Sequence, residues 1–165
     1  MVELRLIAGV ARTGAIGDGE TIPWHYDEDE QQYKNRVADH PVIVGRKTHM
    51  GMTRVRGTHP VVVTSTPDAY DEDDATFVST VPDAVAAVAA QGDTGYVIGG
   101  QSVYAMFLPY ADRAFVSELP ERKVASRVFP YLGTNWAVTE RHEYDEFDVI
   151  EYVNEEPLDP AEAPV

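Results

Sequence analysis

Four short runs made almost wholly of apolar residues constrain this chain most. They are Val42-Ile43-Val44-Gly45, Val61-Val62-Val63-Thr64, Tyr96-Val97-Ile98-Gly99-Gly100 and Ala114-Phe115-Val116-Ser117. A strand without polar alternation has to be covered on both faces, which is the condition of a parallel sheet between helical layers. The segments between the runs supply the helices. Asp27 to Val37 reads as helical, with Asp27 as N-cap and Glu30 three residues on in a capping-box variant. A short helix should begin near Lys47. Pro82 to Ala90 is Ala-rich with proline near its start, and a helix from about Ser102 to Leu108 follows Gly99-Gly100, with Ser102 placed to cap it. Leu4 to Val10 reads as a first strand. Two runs on either side of Glu143 to Glu146 suit a terminal antiparallel pair. The expected fold is therefore a single α/β domain, with a central, mostly parallel eight-stranded sheet, an antiparallel C-terminal edge and about four flanking helices. It should occupy residues 1–154, leaving 155–165 as an acidic, Pro-rich tail that is frayed.

Composition narrows the function. Asp and Glu number 28 against 13 Lys and Arg, a net charge of −15, and there is no cysteine. Phosphate-backbone binding needs a basic surface, so nucleic acid is not an expected partner. Disulfides and thiolate zinc sites are excluded. No apolar run reaches the roughly 18–20 residues of a membrane span, and a cytoplasmic protein is expected. Only Lys34, Lys47 and Lys123 are lysines. Carboxylates at this density repel in dilute buffer. They are screened as the Debye length falls from about 10 Å at 0.1 M salt to about 3 Å at 1 M, which points to adaptation to concentrated salt.

Two strand-to-helix junctions suit anions. In Val44-Gly45-Arg46-Lys47-Thr48 a planar guanidinium stands at a helix start, with one of the three lysines of an acidic chain beside it. In Ile98-Gly99-Gly100-Gln101-Ser102-Val103-Tyr104 paired glycines let a backbone approach a ligand closely. This is not the common dinucleotide fingerprint, and a Gly-Gly turn by itself is equally well a plain left-handed turn. Ligands of open α/β sheets bind outside the carboxyl ends of the strands, where both junctions fall. Upstream, Ile22-Pro23-Trp24 precedes the acidic helix, in which Asp29, Tyr33 and Val37 share one face. Acids in a first turn are ordinarily explained by the helix dipole. Asp29, however, lies on the aromatic face, where a partly buried carboxylate seeks a bidentate partner such as an amidine-like heterocycle.

These elements in this order, with Ile7-Ala8, Ile16-Gly17, Tyr33-Lys34, Pro41 and Thr64-Ser65 between them, resemble dihydrofolate reductase from about residue 4 to residue 150, and the composition resembles a halophilic archaeal member. The resemblance implies NADPH as cofactor and 7,8-dihydrofolate as substrate, in a monomer without metal, nucleic acid or membrane. It implies that Asp29 holds the pterin's 2-amino group and ring nitrogen, that Trp24 orders a water near the reacting ring, and that Ser117 supports Asp29. Ile7, Tyr33 and Met52 would line the folate pocket. Gly45, Arg46, Lys47, Thr48, Thr64, Ser65 and Thr66 would take the phosphates of the adenosine side. Ile16, Gly17, Gly99, Gly100, Gln101, Ser102, Val103 and Tyr104 would flank the nicotinamide half. Residues 13–22 would form a loop that closes over it. One departure stands out: the arginine that clamps the folate's glutamate tail falls on Thr58, leaving Arg54, Arg56 or no residue for that task. The histidines 25, 40, 49, 59 and 142 lack metal-ligand spacing and read as surface residues, as does the acidic stretch 71–74. A pyrimidine reductase of riboflavin synthesis and a non-catalytic nucleotide-binding regulator remain as alternatives on the same sheet.

Overall fold

The apolar runs become the middle of one sheet. A computed structural model of the chain describes residues 1–17 and 24–165. The strands are β1 (Glu3–Val10), β2 (Ala15–Gly17), β3 (Pro41–Gly45), β4 (His59–Val63), β5 (Thr76–Val78), β6 (Thr94–Gly99), β7 (Arg113–Glu118), β8 (Arg127–Val128), β9 (Trp136–Glu143) and β10 (Asp148–Asn154). The helices are α1 (Asp27–Val37), α2 (Arg46–Gly51), α3 (Val81–Ala89) and α4 (Gln101–Phe107). Eight strands form the main sheet in the order β5-β4-β3-β6-β1-β7-β10-β9, while β2 and β8 pair separately. The five neighbouring pairs from β5 to β7 are parallel, and β10 runs antiparallel to both β7 and β9. The expected α/β sheet with an antiparallel C-terminal edge is what forms. β5 has three residues, too few for a pattern to show, and sequence periodicity passed over it.

Each face of the sheet has its own core. Leu4, Leu6, Ala8, Ile43, Val61 and Val97 pack under α3 and α4, against Val88, Val103 and Phe107. On the other face Ile7, Val42, Tyr96, Phe115 and Val149 pack with Val37 of α1 and with Leu119 and Phe147. The alternation along β1, with Leu6 on one face and Ile7 on the other, is the period of two that a strand imposes.

Several local expectations fail. The N-cap of α1 is Tyr26, in an extended conformation and without a side-chain cap, and Asp27 is already helical. Four consecutive acids, Asp27 to Glu30, fill the first turn and meet the positive end of the dipole directly. Ser102 is exposed and caps nothing, because Gly100 precedes α4 instead. The tail is not frayed. Leu158 N donates to the Pro109 carbonyl at 2.9 Å, Asp159 caps the 3-10 turn Pro160–Glu162, and Ala163 is buried in the α3 core. His49 is buried, not a surface residue; it lies edge-on to Phe77 with Nε2 about 3.2 Å from Glu72. Glu72 also accepts from Arg54 at 2.9 Å, so part of the acidic stretch is engaged in contacts and not merely solvated. No helix among the described residues is long and apolar enough to cross a membrane.

Candidate active site

The register of β1 against β7 creates the first half of the site. It sets Gly9 beside Ser117, near the carboxyl ends of both strands. The Asp29 carboxylate of α1 comes down on this pair. A Cβ at Gly9 would stand 2.9 Å from Asp29 Oδ2 and 3.3 Å from a Leu119 methyl, so the approach depends on glycine. Ser117 Oγ donates to Asp29 Oδ1 at 2.5 Å, and Gln32 Nε2 donates to the same oxygen at 2.9 Å. Among the described residues, Oδ2 receives no donor. Burial raises the carboxyl above its ordinary pKa and is the largest influence; the bonds from Ser117 and Gln32 oppose it, and Glu30 adds a further upward push.

Tyr33 and Trp24 lie half-buried against the core on this same face, which also contains Ile7. Burial pushes the Tyr33 phenol up to about 12. Tyr104 links this region to α4: its hydroxyl donates to the Ile7 carbonyl at 2.7 Å. Met52 is half-buried at the C-cap of α2.

The two glycine junctions are neighbours in space. A Cβ on Gly45 would lie 3.2 Å from Val103 Cγ2 and 3.7 Å from both Gly100 N and Gly99 O. A Cβ on Gly100 would lie 3.5 Å from Thr48 Oγ1. The Gly99–Gly100 peptide is cis, and Gly99 has φ +120°, a value that favours glycine. β3 and β4 end side by side, with Gly45 paired to Val63. Arg46, Lys47 and Thr48 therefore adjoin the turn Thr64-Ser65-Thr66. In that turn buried Thr64 Oγ1 accepts from Thr66 N at 3.2 Å, while Ser65 and Thr66 are exposed. Arg46 is half-buried and Lys47 exposed, and among the described residues neither meets a carboxylate. Gln101 is differently occupied: its Oε1 accepts from Val128 N at 2.8 Å and ties α4 to β8. Ile16 packs against the core from β2, and Gly17 ends that strand. Pro23 and half of the expected closing loop, residues 18–22, lie outside the described residues.

Three participants were not singled out from sequence. Gly9, Gln32 and Arg36 all bear on Asp29, directly or through one another. The last two follow Asp29 at i+3 and i+7, a spacing that marks one helix face as clearly as the i+4 and i+8 positions of Tyr33 and Val37. For the tail, Thr58 Oγ1 donates to the Val55 carbonyl, Arg54 pairs with Glu72, and Arg56 approaches Asp39 at 3.4 Å.

An open, largely parallel sheet with a half-buried acid and adjoining glycine junctions at its strand ends is the build of a ligand-binding α/β protein. Comparison with known sequences narrows this. A family model described as Dihydrofolate reductase matches residues 3–155. Dihydrofolate reductase 1 of Haloarcula marismortui is 38% identical over 94% of this chain and 93% of its own length. Dihydrofolate reductase HdrB of Haloferax volcanii is 35% identical over 94% of this chain and 86% of its own. The chain belongs to the dihydrofolate reductase family of NADPH-dependent oxidoreductases. Among solved structures, a dihydrofolate reductase from Enterococcus faecalis, complexed with NADP(H) and RAB-propyl, shares the fold. Its TM-score is 0.82 at 22% identity, with 92% of this chain and 95% of that one covered.

Proposed function

We propose that the chain reduces 7,8-dihydrofolate to 5,6,7,8-tetrahydrofolate by hydride transfer from NADPH. The observation that carries this reading is the Asp29 carboxylate. It is half-buried, with Oδ1 accepting from Ser117 and Gln32 while Oδ2 lacks a donor among the described residues. The two oxygens of a carboxylate match the paired N–H groups of a 2-aminopterin, and Oδ2 has both its lone-pair directions free for one of them among the described residues. Tyr33, Ile7 and Met52 would enclose the ring, and Trp24 would order a water at its edge.

The other ligand finds a fitting set of groups. The Gly45 and Gly100 junctions lack side chains where a backbone-hugging ligand would lie, and a Cβ on either would meet the other junction. Arg46 and Lys47, which meet no carboxylate among the described residues, with Thr48, Ser65 and Thr66 alongside, are donors suited to phosphate. Gly99, Val103 and Tyr104 would border the nicotinamide half, with Ile16, Gly17, Gln101 and Ser102 at its margin. When bound, NADPH supplies the hydride. The chain's own part is to hold the two rings together and to keep a negative charge beside the pterin, which raises the basicity of its imine nitrogen. No second subunit or metal is needed, and the reading includes a cytoplasmic monomer. Salt adaptation follows from the net charge of −15.

The test is NADPH oxidation, followed by absorbance, with dihydrofolate as substrate. Turnover with dihydrofolate supports the reading. Turnover only with a pyrimidine substrate, or NADPH binding without turnover, overturns it in favour of a different reductase or a regulator.

A further inference from the structure

We propose that Gln32, locked by Arg36, is the positioning residue that fixes the orientation of the Asp29 carboxylate towards the substrate; the substrate half of this rests on Asp29 being the acid that holds the pterin. The chain of bonds has a direction that chemistry fixes. Arg36 Nε lies 2.8 Å from the Gln32 side chain, and a guanidinium only donates, so the atom facing it is Oε1. The amide nitrogen then points the other way, 2.9 Å from Asp29 Oδ1 and 3.3 Å from Ser117 Oγ. Ser117 gives its single hydroxyl proton to Asp29, so towards Gln32 it accepts. Turning the amide over would set N–H against a guanidinium and C=O against a carboxylate. Both contacts are repulsive, so one orientation survives.

The lock is itself anchored. The Arg36 guanidinium lies over the Phe115 ring, 4.5 Å from its centroid, and Phe115 is a buried residue of β7. Gln32 is buried, and both its polar atoms have partners, as a buried amide requires. Asp29, Gln32 and Arg36 form one stripe of α1 that runs from the strand ends down to Phe115.

Two donors on Oδ1 and none on Oδ2, among the described residues, make the carboxylate asymmetric. Oδ2 is the oxygen against Gly9, which has no side chain of its own to cover it. The same donors favour the ionised form against the effect of burial. Among the described residues the other groups around Asp29 are few. Glu30 on α1 raises its proton affinity. Tyr33 on α1 and Tyr104 on α4 have phenols pushed far above neutrality by burial, so they stay uncharged. β1 offers Gly9, β7 offers Ser117 and the next loop Leu119, all without charge. Arg36 is the positive charge at the far end of the relay. Gln32 thus transmits to Asp29 a cation that does not touch it.

The test compares wild type with Gln32→Leu, Arg36→Met and the double variant, in two readouts. One is the pH profile of NADPH oxidation with dihydrofolate. The other is the titration of the Asp29 carboxyl by 13C NMR, which needs no turnover. Gln32→Leu should raise the apparent pKa in both by about one unit, with KM for NADPH unchanged. Arg36→Met should move it the same way by less, and should add nothing once Leu stands at 32. If Gln32→Leu does not fold, Arg36→Met on its own still has to show the upward shift. Superimposable titrations in folded variants, or losses in kcat and KM with no shift, would make Gln32 a packing residue and overturn the proposal. A shifted NMR titration in a protein that never turns over dihydrofolate would sustain the positioning role and instead sink the substrate assignment.

Discussion

Asp29→Asn should move stability and activity in opposite directions. Asparagine keeps an acceptor at Oδ1 for Ser117 and Gln32, so both bonds that now hold the carboxylate persist. The amide nitrogen takes the place of Oδ2, where no donor among the described residues is displaced. What disappears is a charge in a partly desolvated setting. The folded carboxyl has a pKa above its unfolded value, so its ionised form opposes folding. That cost is fully present above the folded pKa and fades as pH falls through it towards the ordinary value. The Asn variant should therefore have a midpoint equal to or above that of wild type at neutral pH, with the difference closing in acid. Activity should fall instead. One charge-assisted hydrogen bond to the pterin is worth about 1.5–3 kcal/mol, and lost acid–base support typically costs at least about 10²-fold. The hydride step should drop by that factor or more at pH 7. Single-turnover NADPH oxidation and calorimetry at several pH values measure both arms. Activity within about threefold of wild type, on a scale where tenfold is about 1.4 kcal/mol, would refute the role of Asp29. So would a destabilised variant whose midpoint deficit does not change with pH.

Among the described residues Arg46 has no carboxylate partner and stands beside Ser65 and Thr66, so Arg46→Ala should weaken NADPH relative to NADH by about 1.5–3 kcal/mol; equal rises in KM for both cofactors would make Arg46 structural. With a net charge of −15, thermal and chemical midpoints should rise from dilute to molar KCl; a flat or falling curve would remove the salt-adapted reading and leave the enzyme untouched. For the glutamate tail, Arg54 is the better candidate, because it follows the half-buried Met52 by two residues, with Glu72 as its present partner, whereas Arg56 turns towards Asp39. Arg54→Ala should weaken dihydrofolate by about 1–3 kcal/mol and spare a pterin lacking the tail; equal effects on both substrates, or none, would mean that no arginine of this loop is the clamp.

Much of this was legible in the chain. The apolar runs required strands covered on both faces, since unbroken Val and Ile leave no polar side to turn to water, and the glycine junctions marked where those strands end. The order of elements, the antiparallel pair around Glu143 to Glu146 and the face of α1 that bears Asp29 are all matters of local period and spacing. Tertiary structure decided whatever depends on distant partners. Gln32 in isolation is one more polar residue of an acidic helix; it is buried because the β1–β7 register puts Ser117 under Asp29 and Phe115 under Arg36. His49 looks like a surface histidine until Phe77 and Glu72 close on it from a strand too short to notice and the loop before it. Ala163 sits in a tail with the composition of a disordered segment, yet it is buried in the core that α3 helps to form, with the turn Pro160–Glu162 packed against that helix. Local pattern fixes which face a residue presents, but its partners across that face are set by the packing of elements remote in sequence, and that information is not carried by spacing along the chain.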